Sequence, residues 1–243
     1  KDSRYSKHYD RWDKCFTITY QETDIDEFSI DIIPAVPASE DAMNDILNDT
    51  PRIELVNTSI AIPNVTEKES NWIYNNPRGY AIWFDEKTHY FENQFRIMRE
   101  QSYTASIEEL PEDYATNMLR NVIKMLKRSR DVYFSRTKSK NKPVSIIINT
   151  LVAGLSNKFI TFNFENEYDL LITVVKELSQ LKYFVNEEAI SRSLSKGYVM
   201  AEVISKENGK WILKNPANGL DNILSSWNES SVASIFSLPV KNA

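Results

Sequence analysis

The sequence predicts an α/β protein of the α+β kind, rich in strands up to about residue 100 and rich in helices beyond it. Three observations carry this prediction. "KCFTITYQE", Lys14 to Glu22, alternates Phe16, Ile18 and Tyr20 at the period of a half-buried strand. Past Ser106 the period changes, and Leu119, Val122, Ile123 and Leu126 recur at helical spacing. No internal repeat or low-complexity linker breaks up the 243 residues.

Taken in order, the strand ending at Glu22 pairs with Phe28 to Val36 through the polar turn "TDID", and a mixed sheet is expected over roughly residues 14 to 62. After Pro34 and Pro37, "ASEDAMNDILND" reads as a short helix capped by Ser39, and "PRIELVNTSIAIP" returns to strand. Asn76 can cap a helix with Pro77 at its first position, where the missing N–H costs nothing. Pro111 and the acidic pair Glu112-Asp113 mark the start of a helix running from about 111 to 134. "KPVSIIINTLVAGLS" is ambiguous. Its Val/Ile content argues strand, whereas its length and Ser145 at an N-cap position argue buried helix. "EYDLLITVVKELSQLKYF" reads as an amphipathic helix, "GYVMAEVISKENGKWILKNP" as a hairpin turning at Asn208-Gly209, and "GLDNILSSWNESS" as a closing helix.

Within "EFSIDIIPAVP", Asp31 interrupts an apolar run, Ile30 and Ile32-Ile33, that reads as a buried strand. An ionised carboxylate out of water needs a partner, a metal or a shifted pKa. Alternatively, strand alternation puts Asp31 on the solvent face, opposite Phe28, Ile30 and Ile32. The pattern alone leaves both readings open.

Composition narrows the class. With 42% hydrophobic and 26% charged residues the chain reads as a soluble, cytoplasmic protein, and no apolar run approaches the ~20 residues of a membrane helix. One cysteine, Cys15, and two histidines, His8 and His89, argue for a reducing compartment and against a zinc site. The net charge of −5 disfavours a long nucleic-acid partner, yet nine basic residues against one acidic lie between Arg120 and Lys142. Such a patch suits a small polyanion. On the long helix Arg120, Lys124, Lys127 and Arg128 share the polar face, and Arg128 and Arg130 either pair with Asp131 or face a ligand. The tryptophans Trp72, Trp83, Trp211 and Trp227 are expected to pack in the core or between lobes rather than to stack on a base.

Four segments, in order, resemble one family. They are "FSIDIIPAVP", "NNPRGYAIWF", the pair "VIKMLKRSRDVYF" and "KPVSIIINTL", and "LKNPANGLDNILSSW", which lie between Phe28 and Trp227. They are similar to the CD-NTases, bacterial nucleotidyltransferases that resemble cGAS and the oligoadenylate synthetases. The resemblance implies a partial polymerase-β-like nucleotidyltransferase palm over residues 1–100 and a helical nucleotide-binding lobe over 101–243. It implies that Asp31 is the third catalytic carboxylate, a ligand to Mg2+ or Mn2+. It also implies that Lys127 grips the triphosphate and that Ser145 meets a phosphate at a helix start.

The chain departs from the family pattern in having no Gly-Ser dipeptide and no following Asp-x-Asp strand. "DID", Asp24 to Asp26, lies in the turn of the hairpin, so these are expected to be solvated turn residues. On the resemblance, the chain is expected to begin between the second and third catalytic carboxylates and to be inactive as a fragment. The implied function is synthesis of a cyclic di- or trinucleotide second messenger from ATP, GTP or pyrimidine triphosphates in antiphage signalling, with regulatory protein partners. The alternatives are a catalytically inactive nucleotide-binding module and a template-independent RNA nucleotidyltransferase.

Overall fold

The computed structural model describes residues 9–11, 15–22, 27–50, 52–64, 72–103, 117–137, 142–161, 165–180, 187–195 and 203–225. Asp24, Asp26, the Pro111–Asp113 start signal, His8 and Trp227 lie outside them. The chain divides into two compact units, residues 1–80 with 217–219, and residues 81–216 with 220–243.

In the first unit, β1 (Tyr9–Arg11), β2 (Phe16–Glu22) and β3 (Glu27–Ile32) form an antiparallel sheet in that order. β2 and β3 are the predicted hairpin, with Thr17 opposite Asp31 and Ile18 opposite Ile30. A second antiparallel sheet is built from β4 (Val36–Pro37), β5 (Ile60–Pro63) and β6 (Trp72–Asn75). The expected single mixed sheet is therefore two antiparallel ones among the described residues. Pro34 lies in the break between β3 and β4, and lacks the N–H a continuous ladder would need. Ser39 caps α1 (Glu40–Asp49) as predicted, its hydroxyl accepting from the Ala42 N–H. Ile53–Val56 is a short helix, α2, so the strand expected from residue 51 begins only at Ile60.

The core of this unit is Ala42, Ile46, Leu55, Val56, Ala61 and Ile62. Asn76 crosses its edge. Fully buried, it donates to the Leu55 carbonyl and, at 3.0 Å, to the Ala217 carbonyl; its oxygen accepts from the Gly79 N–H at 2.9 Å and the Thr58 hydroxyl at 2.8 Å. All four bonding positions of the amide are filled, which is what makes a buried polar side chain affordable. Gly79 is required beside it, since a Cβ there would lie 2.6 Å from both the Asn76 amide nitrogen and the Leu55 oxygen. Two segments that carry the resemblance, "NNPRG" and "NPANG", thus meet here for a structural reason.

α3 (Pro77–Tyr103) starts at this cap, as predicted, and the division between the units falls within it, between Tyr80 and Ala81. In the second unit its residues Phe91 and Phe95 join a core with α4 (Met118–Thr137), α5 (Ser145–Gly154), α6 (Ser156–Phe159), α7 (Glu167–Ser179) and α8 (Glu187–Ser195). α5 resolves the ambiguous segment as helix: Ile147, Ile148, Leu151, Val152 and Ala153 are all buried, so it is the central helix, apolar nearly all round. α4 begins at Met118 rather than near 111, because Asn117 has φ +62° and a left-handed residue cannot continue a right-handed helix.

β7 (Ser205–Glu207) and β8 (Lys210–Ile212) form the predicted hairpin, with Asn208 and Gly209 at φ +50° and +76° as a two-residue turn requires. They are followed by β9 (Lys214–Asn215) and β10 (Asn218–Asn222). Of the closing helix expected over residues 219–231, Gly219 to Asn222 are strand and 223–225 a turn, and the rest lies outside the described residues. The Asn222 side chain accepts from the Leu213 N–H at 3.0 Å and donates to the Trp211 carbonyl at 2.8 Å, bonds that hold an extended chain. Trp83 and Trp211 are buried, and Trp72 is exposed, so it is not a core residue. No helix among the described residues is long and apolar enough to cross a membrane.

Candidate functional site

The chemistry-bearing residues of the second unit collect where α4 faces the start of α5. Leu119, Val122, Ile123 and Leu126 fix α4 in the core, and the same stripe continues to Arg130 and Phe134. Arg130 is therefore a cation on a buried stripe, only 5% exposed. Its guanidinium makes four polar contacts. Nε and Nη2 bracket an Asp131 carboxylate oxygen at 2.9 and 2.8 Å, while Nη1 donates to the Pro143 carbonyl at 2.8 Å and to the Ser145 hydroxyl oxygen at 3.2 Å. Lys142 meets the same Asp131 oxygen at 2.9 Å. The hydrogen bond from Lys142, ahead of the contribution of Arg130, holds the Asp131 carboxyl below its ordinary range.

This network fixes the entry to α5. Ser145 is its first helical residue and not its N-cap: Val144 occupies the cap and supplies no side-chain bond. Correspondingly, the Ser145 hydroxyl is exposed and turned to Arg130 instead of capping the helix. The positive end of the helix dipole lies at the same place.

Lys127 is half-buried one turn before Arg130. Burial, and then the charge of Arg130, lower its pKa, while Asp131 opposes the shift. An ammonium held in that way gains most from an anion that restores what burial and a like charge remove. Of the other cations on the helix, Arg120 is not available in the same way. It is bound to Asp85 at 2.7 Å and lies 5.5 Å over the Phe84 ring. Lys124 and Arg128 are exposed. Lys127 thus lies within the electrostatic reach of Arg130, and Ser145 accepts a hydrogen bond from it. Arg130 is the organiser that sequence reasoning left undecided, although its position four residues after Leu126 on the apolar stripe marks it as a buried cation.

Asp31 belongs to the first unit. The buried strand expected around it is not found, for Ile30, Ile32 and Ile33 are 41, 48 and 50% exposed. Asp31 is itself exposed, and its Oδ1 accepts from the Thr17 hydroxyl at 2.6 Å across the β2–β3 pair. The register puts Asp10 of β1 opposite the same Thr17, so both carboxylates border one threonine. No group of three or more Asp, Glu, His or Cys able to hold a metal occurs among the described residues. One exposed carboxylate fits a single ligand position of a hard cation such as Mg2+, which keeps waters and substrate phosphates as its other ligands. It does not make a metal site alone.

No family model matches the chain, and no solved structure matches it. Among curated proteins it is similar to a c-di-GMP synthase of Roseivirga ehrenbergii, 25% identical over 153 residues, which cover 63% of this chain and 34% of that protein. The match spans about a third of the length of that relative.

Proposed function

We propose that the chain is part of a metal-dependent nucleotidyltransferase of the CD-NTase kind that joins nucleoside triphosphates into a cyclic di- or trinucleotide second messenger. The similarity to the c-di-GMP synthase carries the reading of the reaction. The arrangement of Lys127, Arg130 and Ser145 supports the reading of the substrate, since a charged donor, a hydroxyl and a helix start are what a triphosphate tail can use. Lys127 binds a terminal phosphate, Ser145 donates its hydroxyl to one, and Arg130 holds Ser145 in place. Asp31 would contribute one oxygen to a bound Mg2+ or Mn2+, and the chemistry such a cation would supply is activation of an attacking hydroxyl.

The setting, antiphage signalling in a bacterial cytoplasm with regulatory protein partners, belongs to the same proposal. Incubating the full-length protein with the four labelled triphosphates and Mg2+, and identifying products by mass spectrometry, tests it. A cyclic dinucleotide or trinucleotide is expected. Triphosphate binding without turnover would replace it with an inactive nucleotide-binding module, and extension of an added RNA with a template-independent polymerase.

A further inference from the structure

The charges at the start of α5 do not balance. Nε and Nη2 of Arg130 and Nζ of Lys142 all fall on Oδ1 of Asp131, at 2.9, 2.8 and 2.9 Å, so one carboxylate answers two cations. Lys127 adds a third. It is half-buried within reach of the charges of Arg130 and Asp131, and makes no hydrogen bond or ion pair with a described residue. Among the described residues Asp131 is the acid that acts on Lys127, and the groups that act on Asp131 are Arg130 and Lys142. Three positive charges thus stand against one negative, a surplus of two, and the exposed Arg128 that follows Lys127 has the same sign. Ser145 completes the cluster. Its oxygen accepts from Arg130 Nη1 at 3.2 Å, and its own proton is given to no described residue, so the hydroxyl has a donor to offer.

Resting on the triphosphate reading above, we infer that this cluster selects a terminal phosphate in its doubly charged form over the singly charged phosphodiester of a finished oligonucleotide. The surplus of charge carries the inference. A terminal phosphate brings nearly two negative charges and three acceptor oxygens, enough to answer the Lys127 ammonium and the Ser145 proton together. A phosphodiester brings one charge and leaves the other cation unanswered, and a half-buried cation without a counter-charge is unfavourable. Lys142 contributes here through its charge and not through a vacant position: it stays on Asp131, and by doing so cancels the negative charge that would otherwise repel the ligand. On this assignment the cluster holds a nucleoside triphosphate by its tail and has no grip on a product that contains diesters alone.

The test compares two inorganic probes by titration calorimetry on the full chain, with ATP titrated alongside. Tripolyphosphate ends in terminal phosphates, whereas trimetaphosphate is a ring whose phosphates each carry a single charge. At about 0.5 M salt, which screens all but close charges, tripolyphosphate is expected to bind roughly tenfold or more tighter than trimetaphosphate, as a further charge-assisted contact implies. The preference should shrink as the pH is lowered through about 6, where a terminal phosphate takes up its second proton. Lys142→Ala, which lets Asp131 cancel a larger share of the surplus, should reduce the preference severalfold, and Lys142→Arg, which keeps the charge, should restore it. Melting temperatures of the two variants show whether the fold is kept. Equal affinity for the two probes, or a preference that Lys142→Ala leaves intact, would overturn the inference. ATP binding that still depends on Lys127 would then leave the triphosphate reading standing, and failure of ATP and of both probes to bind would remove the two together.

Discussion

Arg130 decides what the start of α5 can present. Its three nitrogens serve three partners at once, Asp131, the Pro143 carbonyl and Ser145, in a geometry only a planar guanidinium supplies. Arg130→Lys keeps the charge but reaches at most part of the set, and leaves the buried Pro143 carbonyl without its donor. The variant should lose about 1–3 kcal/mol of stability by urea denaturation, the cost of a buried group left unsatisfied. Stability equal to the wild type would mean that the network is ornamental. Asp131 gives a pH test of the same cluster. Because its folded pKa lies below the ordinary 3.8, it contributes stability that is present above that value and is lost as the pH falls through the lowered folded value. The stability advantage of the wild type over Asp131→Asn should therefore be full at neutral pH and vanish in acid. Its size is reduced by solvent, since the side chain is 38% exposed. A difference that grew on acidification would reverse the assigned sign. Asp31 behaves differently. Asp31→Asn should change stability by no more than about 0.5 kcal/mol, as exposed substitutions do. Synthesis by the full-length protein should nevertheless stop, and wild-type turnover by this variant in Mg2+ would remove Asp31 from the active site.

At the scale of elements, the joint at Asn76 is the most exacting. Asn76→Asp replaces two buried donors, to Leu55 and Ala217, with acceptors facing carbonyl oxygens, and Gly79→Ala puts a methyl group 2.6 Å from backbone. Each should destabilise the protein by about 2 kcal/mol or more, read as a shifted denaturant midpoint at unchanged slope; loss of less than about 0.5 kcal/mol would show that the joint relaxes freely. The Asn76–Pro77 helix start was legible because capping is local chemistry. So were the Asn208-Gly209 turn and the apolar stripe of α4. The start of α4 was not, since Pro111 and its acidic neighbours look like a helix start whatever Asn117 does afterwards. Nor was β10: "GLDNIL" has helical spacing, but the Asn222 side chain bonds the backbone of residues 211 and 213, a pairing no local pattern announces. The apolar residues around Asp31 misled for a third reason. Alternation tells which residues share a face and not whether that face is covered, and Ile30 and Ile32 share an exposed one. As for the site, Lys127 and Ser145 follow from the resemblance, whereas Arg130 follows from the apolar periodicity of α4, on which it takes the position after Leu126.

At the scale of the whole molecule, an acidic chain of net charge −5 concentrates nine of its 29 Lys and Arg residues between Arg120 and Lys142, and two kinds of anion binding are open to it. A diffuse attractor works through the summed field, which salt screens over about 10 Å at 0.1 M. A built site works through contacts that salt weakens far less. Half-buried Lys127 belongs to the proposed built site and the exposed Lys124 to the diffuse field. Triphosphate affinity of the full-length protein and of Lys127→Ala and Lys124→Ala, measured by titration calorimetry at low and high salt, separates them. Lys127→Ala should weaken binding roughly ten- to a hundredfold at both salts, about 1.5–3 kcal/mol for a hydrogen bond to a charged group, while the smaller effect of Lys124→Ala fades at high salt. Equal losses for the two variants that disappear together as salt is raised would contradict a triphosphate site at Lys127.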